Sequence, residues 1–176
     1  MVIVLGGLVA ASAVAVGSGA NFNSSSANPG AFIGAGTIIV TDSLVGRSIL
    51  NVNPIKPGGS TSGTVNIQNG GSAPAGFTLA KANLVDTPAS PALSSKLTLL
   101  VQDLGDPTCT VSCPAAVTTY SGTLGSMGTL TLGTFAAGVK RQYKFTVTFP
   151  EGGSNGADNA YGGAITTVDY LWTATQ

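Results

Sequence analysis

The chain has 176 residues, 43% hydrophobic and 8% charged, with 7 Lys and Arg balanced by 7 Asp and Glu and no His. So neutral a surface lacks the basic patch that nucleic acid or an anionic membrane requires. Without imidazole there is no Ser-His or Cys-His nucleophile activation and no His-ligated zinc. The length suits one domain plus a short appendage, and the apolar content, spread along the chain, argues against disorder.

Residues 1–20 read as a secretory signal peptide. Val2 to Val16 carries no charge but is too short and too rich in Gly and Ala for a membrane-spanning helix. Ser18 and Ala20 supply small residues at the cleavage positions, with Ala13-Val14-Ala15 as a second possible cut, and the mature chain is expected to begin at Asn21. No Lys or Arg precedes Arg47, so the basic leader is missing and the natural start is expected upstream of Met1. A retained anchor or a buried strand is the competing reading of this run.

Residues 21–35 (NFNSSSANPGAFIGA) form a polar arm interrupted by Pro29-Gly30. The arm carries spaced apolar residues, Phe22, Phe32 and Ile33, which a plain spacer would not need. Ser24-Ser25-Ser26 has no base nearby and reads as solvated linker.

Residues 36–176 read as one β-sandwich domain. Gly36 to Val40 is a continuous apolar run, expected as a strand buried on both faces. From there the period is two: Val65-Ile67, Phe77-Leu79, Leu97-Leu99-Val101, Leu130-Leu132, Tyr143-Phe145-Val147-Phe149 and Val168-Tyr170-Trp172 each line one face. Turn clusters punctuate these runs at Asn53-Pro54, Lys56 to Gly59, Asn69 to Gly71, Asp103 to Pro107 and Glu151 to Gly156. The single helical candidate is a turn at Pro91 to Lys96. Many short strands without a helical period or an internal repeat predict an all-β, antiparallel sandwich.

Cys109 and Cys113 are the only cysteines and are expected to form a disulfide, an arrangement suited to an oxidising compartment. Two thiolates without His cannot complete a tetrahedral zinc site. Asp103 with Asp106, and Asn155 with Asp158 and Asn159, could offer oxygens to calcium, but Asp and Asn also start turns by bonding their own backbone, and that reading is preferred. Glu151 is the sole Glu, which removes a Glu-Glu glycosidase pair. Trp172 falls in strand phase with Tyr170, so core packing is preferred over a sugar platform. Lys140-Arg141 reads as a solvated strand end. No catalytic, cofactor or metal residue is assigned.

Several pieces, taken in order, carry a resemblance. They are the apolar signal ending beside Asn21-Phe22, the strand opened by Gly34-Ala35-Gly36-Thr37, Lys56-Pro-Gly-Gly-Ser60, and Gly63 to Gly71 (GTVNIQNGG). Then come Phe145 to Pro150 (FTVTFP), Asp158 to Gly163 (DNAYGG), and the ending Leu171 to Gln176 (LWTATQ). Over nearly its whole length the chain resembles the TasA/camelysin (CalY-like) family of secreted biofilm-matrix and spore-coat-associated proteins. The resemblance implies a jelly-roll-like sandwich that is exported, processed and polymerised into extracellular fibres by donor-strand complementation. On that reading the mature N-terminus of one subunit adds to a sheet of the next, giving a head-to-tail homopolymer located in the matrix or at the cell surface. Other matrix components are candidate partners, and no membrane is involved after processing. Residues 21–35 are the expected donor strand. The metallopeptidase label of some relatives has no support here, since neither His nor HExxH is present. The rival reading is a monomeric extracellular binding module for carbohydrate or calcium.

Overall fold

Lys140–Thr148 shows how this sequence builds a sandwich: Tyr143, Phe145 and Val147 are buried on one face, while Lys144, Thr146 and Thr148 lie on the other. The computed structural model describes residues 37–50, 55–153 and 156–176. The strands are β1 (Val40–Asp42), β2 (Ser60–Asn69), β3 (Ala75–Thr87), β4 (Thr98–Gly105), β5 (Val117–Thr123), β6 (Leu130–Phe135), β7 (Lys140–Thr148) and β8 (Ile165–Thr175). A short helix, α1 (Leu93–Lys96), precedes β4, and single 3-10 turns occupy Leu124–Ser126 and Asn159–Tyr161.

The strands form two antiparallel sheets, one of five strands in the order β1-β2-β7-β4-β5 and one of three in the order β6-β3-β8. Their facing sides make the core, as the alternation requires. β7 is the central strand of the larger sheet: Phe145 stands opposite Gly63 on β2 and Val101 on β4. In the smaller sheet Phe77 and Leu79 of β3 stand opposite Ala174 and Trp172 of β8. Aromatic rings join the two layers. Phe145 meets Tyr170 at 4.7 Å between centroids and Tyr143 meets Trp172 at 5.2 Å. Phe77 stacks on Phe135 at 4.3 Å. Each such ring, taken fully from water, contributes about 1.5–3 kcal/mol.

The run at Gly36 to Val40 is corrected. Of its described residues, 37–40, only Val40 is buried, Ile39 is 47% exposed, and the strand is the three-residue β1 at a sheet edge. An edge strand has one partner and one wet face, so its apolar residues are only partly covered. Residues 37–39 continue alongside the Asn69-Gly70-Gly71 turn. There Gly70 N–H donates to the Ile39 carbonyl at 2.8 Å and Ser72 N–H to the Thr37 carbonyl at 2.9 Å. A Cβ on Gly71 would collide with that Thr37 carbonyl, which is why this turn requires glycine. The two 3-10 turns and β5 go beyond the expected elements. The signal and arm residues Ser18, Ala20, Asn21, Phe22, Phe32 and Ile33 lie outside the described residues, as do Asn53-Pro54 and Asn155.

Candidate functional site: an apolar groove beside β8

β8 pairs with β3 along one side only; among the described residues no strand pairs with its other side. The facing edge of the larger sheet is β1, which pairs with β2. Between these two edges the described residues leave the sandwich open, and a groove of about 1390 Å³ enters there. Its wall on one side is β8, with Val168, Tyr170 and Trp172 turned inward. The other wall includes Val40, Leu44 and Ile49. The floor is core, with Leu97, Val147 and Phe149 reaching it, and Phe145 and Tyr143 pack against the two aromatic rings of β8.

Such a groove combines two unsatisfied requirements. An open strand edge presents N–H and C=O groups that bond readily to another extended chain. The apolar wall gains by covering, because the three-stranded sheet faces one of five and leaves core residues to the open side. Desolvation raises the Tyr170 hydroxyl pKa above the usual phenol value, so that group remains an O–H donor at neutral pH.

The ends of the strands fix a direction. β8 finishes where Thr175 stands opposite Gly76, close to the start of β3. Residues 37–39 lie against Gly70 to Ser72, just before β3 begins. Thr37, the first described residue, therefore lies at the end where β8 finishes.

A second, smaller hollow of about 690 Å³ lies beside the β4–β5 hairpin and is lined by Asp103, Asp106, Lys140, Arg141 and Pro114 among others. Asp103, Asp106 and Arg141 are engaged within the domain. Asp103 lies in β4, 7% exposed; its Oδ1 accepts from Gly105 N–H at 2.8 Å, the own-backbone bonding expected of Asp, and its Oδ2 accepts from Arg141 Nη1 at 2.7 Å. Lys140 is the exposed strand end expected, whereas Arg141, its side chain 41% exposed, is engaged by Asp103 and lies over the Phe135 ring, 5.5 Å from the centroid. Asp106 Oδ1 accepts from the Thr108 N–H and hydroxyl, the turn bonding expected of Asp, and Thr108 holds its carboxyl below the usual range. Asp158 accepts from Gly152 N–H and pairs with Lys96 at 3.0 Å. Asn159 opens a 3-10 turn. Among the described residues no three acidic, Cys or His groups converge as a metal site.

Cys109 and Cys113 are bonded to each other, with Cα atoms 5.7 Å apart. They close the tip of the β4–β5 hairpin, where Val111 is 80% exposed. The bond fits an oxidising environment. No helix among the described residues is long and apolar enough to cross a membrane.

Asn69 is a residue that sequence reasoning undervalued. The Asn69-Gly70-Gly71 motif reads as an ordinary turn, yet Asn69 is fully buried and its side chain bonds three backbone groups. The only hint is an amide closing an apolar alternation, Val65-Ile67-Asn69, in the inward phase.

Compared with known proteins, the chain matches no family model and no curated sequence.

Proposed function

We propose that this chain is a secreted structural subunit that polymerises into extracellular biofilm-matrix or cell-surface fibres. Each copy donates residues 21–35 to the groove beside β8 of the next. The observation that carries the reading is the open β8 edge over an apolar groove. A donated strand satisfies both of its needs at once, main-chain bonding and apolar cover.

Geometry supports the head-to-tail sense. Thr37, the first described residue, lies at the end of the domain where β8 finishes. If the next copy is stacked on that end in the same orientation, the arm enters its groove at the Ile165 end. Read from N to C, the arm then runs antiparallel to β8, as its neighbour β3 does. A contact of this kind is heterologous and does not close, so it propagates as a filament.

The strand orders fit the jelly-roll reading. Two interleaved Greek keys of eight strands give the orders 1-8-3-6 and 2-7-4-5. Here β8-β3-β6 and β2-β7-β4-β5 follow that scheme, but β1 sits beside β2 and the place next to β8 is open among the described residues. Strand donation would fill that place, which is how membership of the TasA/camelysin family would express itself. Export and removal of residues 1–20 would free the arm.

The test is electron microscopy and sedimentation of chains beginning at Asn21 and at Gly34. Filaments from the first and folded monomers from the second support the proposal. Monomers from both favour a binding module, and equal filaments from both rule out donation by this arm.

A further inference from the structure

The inward row of β8 is not wholly apolar. Thr166, Val168, Tyr170, Trp172 and Ala174 turn toward the other sheet, while Ile165, Thr167, Asp169 and Leu171 turn outward. Tyr170 and Trp172 both line the groove. Trp172 is 5% exposed, yet its indole Nε1–H has no hydrogen-bond partner among the described residues. The Tyr170 hydroxyl, closed to solvent, has none there either.

Buried polar groups are paired almost without exception, so three unpaired ones on one face of one strand, with the Thr166 hydroxyl the third, require an explanation. An indole N–H can only donate, and its missing partner is therefore an acceptor. Neither ring can turn back into the core for one. Tyr143 and Phe145 pack behind Trp172 at 5.2 and 6.3 Å between centroids, and Phe145 packs behind Tyr170 at 4.7 Å. No described residue supplies that acceptor.

The arm has a row of suitable groups. In the strand phase that turns Phe22 and Phe32 inward, the residues between them on the same face are Ser24, Ser26, Asn28 and Gly30. A strand antiparallel to β8 sets its N-terminal part beside the C-terminal half of β8, where Trp172 stands. Resting on the strand-donation reading above, we propose that the groove selects its occupant by hydrogen bonding as well as by apolar fit. A hydroxyl or amide oxygen of Ser24, Ser26 or Asn28 accepts from Trp172 Nε1–H, and Phe22 and Phe32 occupy apolar positions on either side. The occupant is thus an amide- and hydroxyl-bearing strand of a second copy. The polar contact also fixes register, because a slip of one residue turns the whole acceptor row outward.

A double-mutant cycle on the chain beginning at Asn21 tests this, with the critical concentration for assembly read by sedimentation. Trp172→Phe keeps an aromatic ring and deletes the N–H. A triple variant, Ser24→Ala, Ser26→Ala and Asn28→Ala, deletes the acceptors and leaves the described domain untouched. Each is expected to raise the critical concentration roughly tenfold, and the combination no further than either alone. Multiplying effects, or a triple variant that assembles like the parent, would overturn the hydrogen-bond key. Should Trp172→Phe fail to fold, the triple variant decides alone. Undiminished assembly of the chain beginning at Gly34 would sink strand donation itself, a separate result.

Discussion

The side-chain amide of Asn69, at the end of β2, donates to the backbone carbonyl of Phe135 on β6, 2.9 Å away. The bond crosses from the larger sheet to the smaller one. The same amide donates to Ala73 at 2.8 Å, and its oxygen accepts from Gly71 N–H at 3.0 Å. One side chain thus ties both sheets to the turn against which residues 37–39 lie. Asn69→Leu should keep the volume and strand three backbone groups, costing about 2–4 kcal/mol in urea unfolding. A change within 0.5 kcal/mol, the scale of an ordinary surface substitution, would show that these groups find other partners.

Acid should destabilise the domain through its carboxylates. Burial pushes the Asp86 carboxyl up, but hydrogen bonds from the Ser94 N–H and hydroxyl, at 2.8 and 2.7 Å, outweigh it and hold the group below its usual value. Asp106, bonded by Thr108, and Asp158, bonded by Lys96, are also held low. Each group takes up protons at higher pH when unfolded than when folded. The stability it adds is therefore complete above about pH 4 and is lost as pH falls through the folded value. Thermal melts between pH 6 and pH 2, on the scale set by those ordinary values, should show this decline, and Asp86→Asn should make it shallower. An unchanged slope in that variant would count against the Asp86–Ser94 account.

Without reductant, intact mass should be two hydrogens below the reduced value, reporting the Cys109–Cys113 bond. Replacing both by Ser should leave the fold intact at a cost of about 2 kcal/mol or less, because the ring is small and sits at a hairpin tip. Failure of that variant to fold would mean that the hairpin does more than cap β4 and β5.

Phe22→Asp should weaken assembly without lowering the melting temperature of the monomer. Burying a Phe contributes about 1.5–3 kcal/mol, and an unpaired carboxylate in an apolar groove costs more still. Sedimentation at equal concentrations measures the first effect and a thermal melt the second. Assembly as strong as that of the parent would place Phe22 outside the interface.

The sandwich was legible wherever a strand buries one face, as along Tyr143-Phe145-Val147 and Val168-Tyr170-Trp172, because burial writes the period of two into the residues. β5 escaped notice: Val117–Thr123 has no fully buried residue, so nothing forced its composition to alternate. The bond of Asp103 to its own backbone at Gly105 was legible, but its ion pair was not, because Arg141 lies 38 residues later and only the fold brings it there. The groove could not be read at all. That β1 pairs with β2 and not with β8 is a fact of long-range pairing, and the local pattern of Val40 to Asp42 is compatible with either neighbour.

With Thr37 at the end where β8 finishes, strand donation would make the two tips of any such filament chemically unequal. One tip displays an unfilled groove and the other an unclaimed arm. A domain without residues 21–33 keeps the groove and has nothing to pass on. Added in small amounts to full chains, it should act as a terminator: it accepts the last protruding arm and halts growth at that tip, while the opposite tip continues to lengthen.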